Sequence, residues 1–474
     1  MAERVFCIDF GSGFTKVALR PDPGATTRLV NDRDIESTDF CLPSVVVVDR
    51  SGPKPVVECG KKAAGRTASN GIEVHANWKK WLFLTPAADD PAANPLETFL
   101  RSDDLARLAT QHGVSAGQLG HLRQLVGSAR ELLAGFGVHP ASRDTQKQQF
   151  AASIAAHYFS WLRQEVLREC DRLPYAGLRY DGIPVRVTAP AFAHGANVTT
   201  HPGCKLLTAA LAKAGWPLHP ERPVVSEPYA NAVGVLTKGE NHLKKDKFDL
   251  GATFGKGPLV TTLKDPDHHA PYRAVVIDVG AFTTDFAVLT MNPGGPGESD
   301  PDRAFAVQQH SIAFGMSHLD DRVVAAIPAE KAAWVRAAPA SELDAFRNAV
   351  YTEDKPHRTN TVGKIGAGDD TQPIKDCLTR FAADLGNEVK QFLATLGSKG
   401  MAELVLTGGG MNVPALRDAV LAAATANGHE YAKVHGPGVK KPAGGKPVDK
   451  LDPRFTRGGS ALGGAGLYFE PAYI

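Results

Sequence analysis

Two aspartates stand at the ends of apolar runs, and each is followed one residue later by a glycine turn. Asp9 lies in Val5-Phe-Cys-Ile-Asp-Phe-Gly-Ser-Gly-Phe-Thr-Lys16, and Asp278 in Ala274-Val-Val-Ile-Asp-Val-Gly-Ala-Phe-Thr-Thr-Asp285. A buried strand that ends in a carboxylate and turns through glycine can hold a metal ion, while the exposed N–H groups of the turn can face phosphate oxygens. Either turn alone reads as an ordinary β-hairpin; two of them, one in each half of the chain, suggest two similar domains closing on one magnesium-phosphate. Magnesium keeps several of its waters and takes few direct carboxylates, so Asp9 and Asp278 are expected to hold it from an outer shell. A third unit, Glu403-Leu-Val-Leu-Thr-Gly-Gly-Gly-Met-Asn-Val-Pro-Ala-Leu-Arg417, reads as a strand, a triple glycine and a helix with Pro414 near its first turn. Such a junction lets backbone approach a ligand and sets a helix N-terminus beside it.

The elements that must position these residues can be read coarsely. A chain of 474 residues is too long for one core and suits two large lobes, and 43% hydrophobic residues suffice to fill both. Gln146 to Cys170 contains no Gly or Pro, and Phe150, Ile154, Tyr158 and Trp161/Leu162 recur at helical spacing. Residues 183–192 read as a strand, Leu206 to Ala214 as a helix ending at Gly215, and Glu227 as the start of another helix. The Gly/Pro/Lys-rich stretch Gly436 to Lys450 reads as an exposed loop. A net charge of +2 gives no electrostatic case for nucleic acid or an anionic membrane, and no apolar run approaches a membrane span. The first strand follows Met1 so closely that no signal peptide is expected. The six cysteines show no paired spacing, and a cytoplasmic protein with reduced thiols is expected.

In order along the chain, these segments resemble the nucleotide-binding motifs of the actin and heat-shock chaperone ATPase superfamily, which also includes sugar kinases. Asp9 to Lys16 resembles its first phosphate motif, in a form close to actin's, and Asp278 to Asp285 its second. Val185-Arg-Val-Thr-Ala-Pro-Ala-Phe192 and Val224-Val-Ser-Glu-Pro-Tyr-Ala-Asn-Ala-Val-Gly234 are similar to a strand and a connecting helix of the seventy-kilodalton heat-shock (DnaK-like) chaperones. Phe314-Gly-Met-Ser-His-Leu-Asp-Asp-Arg322 resembles the stretch that follows the second motif, Thr407 to Pro414 the adenosine motif, and Gly458-Gly-Ser-Ala-Leu-Gly-Gly-Ala465 the last connecting helix. The matches span nearly the whole chain, and the chaperone branch fits better from residue 185 onward.

The resemblance implies an α/β, actin-like ATPase fold of two ribonuclease H-like lobes facing a nucleotide cleft. Lobe I would cover 1–235 with an outer insertion at about 41–147; lobe II would cover 236–450 with an insertion at 237–271 and an outer part at about 319–375; residues 451–474 would return to lobe I. It implies ATP/ADP and Mg2+ as ligands, with Gly11, Ser12, Gly13, Phe14, Lys16, Gly280, Thr283, Thr284, Gly315, Gly408, Gly409, Gly410 and Asn412 at the nucleotide. Glu227 would stand near the attacking water, with Asp285 beside it, although a helix-start glutamate and a hairpin hydrogen-bonder are the plainer readings of the two. In Val74-His-Ala-Asn-Trp-Lys-Lys-Trp-Leu82, Lys79 or Lys80 would reach over to the phosphate, Lys79 being preferred. Three departures stand out: Ala281 and Phe282 where the family has glycines, Asn412 for a base-stacking arginine, and a chain that ends at Ile474 with no peptide-binding domain in view. The expected function is a slow chaperone-like Mg-ATPase switch for an unidentified protein partner; an actin-like filament protein, a small-molecule kinase and a non-hydrolysing nucleotide sensor are the alternatives.

Overall fold

The computed structural model describes residues 4–21, 27–32, 39–84, 143–173, 178–191, 201–236, 272–291, 305–396, 402–426, 431–437, 448–450, 453–466 and 472–473, with scattered positions in 114–124. It is a mixed α/β protein. The expected insertion at 237–271, most of the outer insertion beyond residue 84, and the middle of the Gly436–Lys450 loop lie outside the described residues.

The first sheet begins with β1 (Val5–Phe10), β2 (Phe14–Arg20), the short β3 (Arg28–Leu29) and β4 (Leu42–Pro43). An outer three-stranded sheet follows, β5 (Val46–Asp49), β6 (Val56–Cys59) and β7 (Ile72–His75), with α1 (Gly60–Ala64) and α2 (Lys79–Leu82). The long α3 (Arg143–Cys170) buries Ile154, Tyr158 and Leu162 as its spacing requires. After β8 (Val185–Ala189) come α4 (Pro202–Lys213), β9 (Val224–Ser226) and α5 (Glu227–Leu236). Helix α4 starts four residues before the expected Leu206, because Pro202 occupies the first helical position and His201 Nδ1 accepts from the Gly203 amide.

The second half repeats the plan. It runs through β10 (Tyr272–Val279), β11 (Thr284–Met291), β12 (Phe305–Ile312), α6 (Met316–Ala326), α7 (Ala329–Ala337) and α8 (Ala340–Arg347), which ends in a π-helical turn at Asn348–Thr352. Then follow β13 (His357–Arg358), β14 (Lys364–Ile365), α9 (Thr371–Ala394), β15 (Ala402–Thr407), α10 (Pro414–Ala426), β16 (Tyr431–Gly436), β17 (Val448–Lys450), α11 (Pro453–Ala465) and β18 (Ala472–Tyr473). The end of the expected 436–450 loop is thus a strand: β17 pairs in parallel with β16 and supplies backbone partners along that edge.

The order β3-β2-β1-β8-β9 in the first sheet matches β12-β11-β10-β15-β16 in the second. Directions match as well, with antiparallel pairs on one side of β1 and β10 and parallel pairs on the other. Strand alternation sorts the faces. On β1, Phe6, Ile8 and Phe10 enter the outer core under α3 and α4, while Val5 and Cys7 join the core between the sheets and carry Asp9 on the same side. On β10, Val275, Ile277 and Val279 pack outward against α9 and α10, while Ala274 and Val276 face inward with Asp278. Helices α5 and α11 fill the space between the sheets. They approach at Gly234, Gly459 and Gly463, where backbone touches backbone; a Cβ on Gly463 would overlap the Ala230 carbonyl. No helix among the described residues is long and apolar enough to cross a membrane.

This crossing generates a stability test. Gly463→Ala should cost about 1–3 kcal/mol, because the helices must part to admit a methyl group that cannot repack. Gly65→Ala, built into open space, should stay within about 0.5 kcal/mol of the parent. Urea midpoints of the two variants measure the difference.

Candidate functional site

The two strand-end turns close identically. The Gly11 amide donates to the Phe14 carbonyl (3.1 Å) and the Gly280 amide to the Thr283 carbonyl (2.9 Å). Each turn is held from behind by its carbonyls. Ser44 bonds the Gly11 and Gly13 carbonyls (2.7 and 2.9 Å), while the first amides of α6, Met316 and Ser317, bond those of Gly280 and Ala281 (3.1 and 2.8 Å). A planar trans peptide sends its N–H opposite to its C=O. The amides of Ser12, Phe14, Ala281 and Phe282 are therefore turned away from these supports, and all four residues line one cavity of about 400 Å³ between the sheets. Neither Ala281 nor Phe282 has a positive φ, so this turn needs no glycine at those places.

The third glycine unit forms the adjoining wall. Gly408 adopts φ +87°, and its amide donates to Thr407 Oγ1 (2.7 Å) and to the Thr456 carbonyl of α11 (3.0 Å). A side chain there would strike Asp278 and the Val279 backbone. Gly409 and Asn412 face the cavity, and Asn412 Nδ2 donates back to the Gly409 carbonyl at 3.3 Å.

Charged groups of both signs converge between the turns. Lys16 Nζ pairs with Asp9 Oδ2 at 3.0 Å, and the Thr188 hydroxyl donates to Asp9 Oδ1 at 3.3 Å. Burial is the largest single influence and works against the Lys16 ammonium, but the charge and hydrogen bond of Asp9, with Cys41 and Glu227 adding to them, together outweigh it and leave the Lys16 pKa above its ordinary value. Asp278 accepts from Asn231 Nδ2 at 2.5 Å; burial, then Asp285 and Asp9, push its pKa up to about 7. Asp285 accepts from the Thr283 hydroxyl (2.8 Å) and from Ser311, and burial holds its pKa above the ordinary carboxylate value. Glu227, at the first residue of α5, pairs with Lys79 Nζ at 3.2 Å. Burial raises its pKa to about 8, with Lys79 opposing and Asp9, Asp285 and Asp278 reinforcing the shift. Lys79 enters the cavity at 5% exposure, whereas Lys80 lies outside it with its ammonium 5.9 Å from the Phe282 ring centre. Of the lysine pair, Lys79 is the one in the cleft.

Asp9, Asp278, Glu227, Asp285, Lys79, Lys16, Gly11, Ser12, Gly13, Phe14, Gly280, Thr283, Gly408, Gly409 and Asn412 all line the cavity. Three expected residues stand behind it instead. Thr284 is buried with its hydroxyl on the Phe314 carbonyl (2.5 Å), Gly315 backs the Ala281–Phe282 peptides, and Gly410 packs on Val279. They shape the wall rather than forming its surface.

Several wall residues were not singled out in the sequence. Asn231 follows Glu227 by four positions, hence on the same face of α5, and that spacing is the signal that could have found it. Arg457, Thr456 and Ser460 come from α11, and Cys41 from the strand-free stretch before β4. The far end is lined by Asp344, Arg347, Asn348 and Thr352 and by Val413, Arg417 and Pro437. These far-end residues had no local signal. Arg347 is held there by Asp320, with Nε at 3.1 Å from Oδ2.

Among the described residues no three His, Cys, Asp or Glu side chains form a cage for a metal ion. What the cleft does offer is a surplus of buried, mutually repelling carboxylates, which suits a hydrated divalent cation held through its waters. The chain matches no protein-family model, and no curated protein matches it either.

Burial of Asp278, with the repulsion of its neighbours added, has a measurable consequence in the ligand-free chain. An acid whose folded pKa of about 7 exceeds its ordinary 3.8 binds more proton when folded, so its contribution to stability falls as pH rises through that window. Asp278→Asn should therefore stabilise the ligand-free chain by roughly 1–2 kcal/mol at pH 8 and by little at pH 4, where the aspartate is already protonated. Thermal unfolding of both chains at the two pH values measures this.

Proposed function

We propose that this chain is a chaperone-like ATPase of actin-like fold, which binds Mg-ATP between two ribonuclease H-like lobes and hydrolyses it slowly as a conformational switch for a protein partner. One observation carries the reading. Two sheets of the same strand order present identically closed aspartate–glycine turns to one cavity, with Lys79 and Glu227 between them. The outward amides of the two turns would take the β- and γ-phosphates from opposite sides, with Lys16 as a point charge. The Gly408–Gly409 wall would take the α-phosphate and ribose. The slot between Arg347 and Asn348 on one side, and Asn412, Arg417 and Pro437 on the other, would take the base.

Magnesium fits the oxygen-rich, carboxylate-surplus floor, and Asp9, Asp278 and Asp285 would hold it through its waters. When bound it would neutralise charge on the phosphates. The work left to the chain is positioning. Glu227 would accept a hydrogen bond from the attacking water and orient it, with Lys79 holding that carboxylate in place. A ligand gripped by both turns favours a closed arrangement of the lobes by its differential affinity, and loss of the γ-phosphate releases one of the two grips.

Calorimetry and phosphate release with ATP and GTP, with and without magnesium, test the reading as a whole. Asp278→Ala should weaken magnesium-dependent ATP affinity by roughly 1–3 kcal/mol, the scale of lost charged hydrogen bonds. An unchanged affinity would remove the two-turn grip. Glu227→Gln should leave affinity close to the parent and slow single-turnover hydrolysis by about 10²–10⁴-fold; a parent-like rate would return Glu227 to a helix-start role.

A further inference from the structure

Strand β12 reaches into the seam between the lobes with a polar face. Val307, Gln309 and Ser311 alternate onto one side, in register with Leu289, Ala287 and Asp285 of β11. Val307 is buried in the core between the sheets, but the next two positions are polar. Gln309 is 7% exposed, and its Oε1 accepts the hydroxyl hydrogen of Ser226, itself 1% exposed. Ser226 ends β9 of the first sheet and immediately precedes Glu227. Two positions along β12, the Ser311 hydroxyl donates to Asp285, whose other oxygen accepts from Thr283 of the second turn. An amide and a hydroxyl buried in an apolar seam are costly unless each satisfies the other, so this bond fixes the two lobes in one relative register at that point.

We infer that Gln309 is a positioning residue for Glu227, and that β12 links the second turn to that carboxylate. The inference rests on the hydrolytic reading above and specifies how the site is regulated. The hydrogen-bonded path runs from Thr283 through Asp285 and Ser311 to the strand, then through Gln309 and Ser226 to the start of α5. A ligand that pulls on the second turn shifts Asp285 and β12 together, and Gln309 passes the shift to the first turn of α5. Water positioning is then complete only when the second turn is engaged.

The test compares Gln309→Met and Ser226→Ala, singly and together, with Ser226→Thr as the variant that keeps a hydroxyl. Single-turnover phosphate release, Mg-ATP affinity, and hydrogen exchange of the amides at 229–232 under Mg-ATP and Mg-ADP are the readouts. Each single variant should slow turnover roughly tenfold or more with affinity within about twofold, and Ser226→Thr should stay near the parent rate. The double variant should be no slower than either single, as expected for two ends of one bond. In the parent, protection at 229–232 should differ between the two nucleotides, and Gln309→Met should abolish the difference. Parent-like turnover in Gln309→Met overturns the inference, as does an additive double variant or a parent whose exchange ignores the nucleotide. A parent that binds no Mg-ATP overturns the nucleotide reading and this inference together; a parent that binds and hydrolyses it beside an indifferent Gln309→Met overturns only the inference.

Discussion

Everything in the cleft depends on how closely α5 and α11 can cross. Among the described residues the two helices pack between the inner faces of the sheets, and at Gly234, Gly459 and Gly463 they meet without side chains. That approach sets the spacing of the strands on either side, and hence of Asp9 and Asp278 at their ends. It also brings Asn231 of α5 to both Asp278 (2.5 Å) and Thr407 (3.1 Å), tying the helix of one half to two strands of the other. Bulkier residues at the crossing would move the two turns apart. Packing and chemistry are set by one distance.

The cleft is an electrostatic compromise. Three buried aspartates and a glutamate face each other with two lysines among them, and the raised pKa values of Asp278, Asp285 and Glu227 come first from burial, with neighbouring carboxylates adding to it at Asp278 and Glu227. Buried ionisable groups held in this way are costly to the fold by themselves, the usual relation between local destabilisation and a functional site. The pairs that exist are not interchangeable. Lys16 is fixed on Asp9 within one hairpin, whereas Lys79 reaches Glu227 across 148 positions of chain and joins the outer part of the first half to the helix between the sheets.

Ala281 and Phe282 show how a departure in sequence is resolved by geometry. Side chains in a turn that faces a ligand threaten the approach of its backbone. Here the start of α6 takes the carbonyls of Gly280 and Ala281, leaving the amides on the cavity side at ordinary φ. The Phe282 ring is carried to the rim, where it lies 5.9 Å from the His318 ring centre and under the Lys80 ammonium. The glycine that this arrangement requires sits at 315, where a Cβ would lie 2.6 Å from the Phe282 carbonyl carbon.

Local pattern determined a good deal. Apolar runs that turn through glycine located the hairpins β1–β2 and β10–β11 and put Asp9 and Asp278 at strand ends. Helical spacing located α3, and a glutamate before proline marked the first residue of α5. The order of the motifs was enough to gather fifteen wall residues from segments hundreds of positions apart, although it could not tell wall from backing at Thr284, Gly315 and Gly410. Those three carry the same residue types as true wall positions and differ only in which side of the peptide faces space. The choice of Lys79 over its neighbour was likewise decided by tertiary contact, since successive residues of α2 point about 100° apart and only the packing of that helix says which enters the cleft. The far end of the cavity, from Arg347 to Pro437, and the bond from Gln309 to Ser226 were decided by tertiary structure alone. Their partners meet through the packing of whole elements, and no spacing along the chain encodes which of many buried polar residues will find each other.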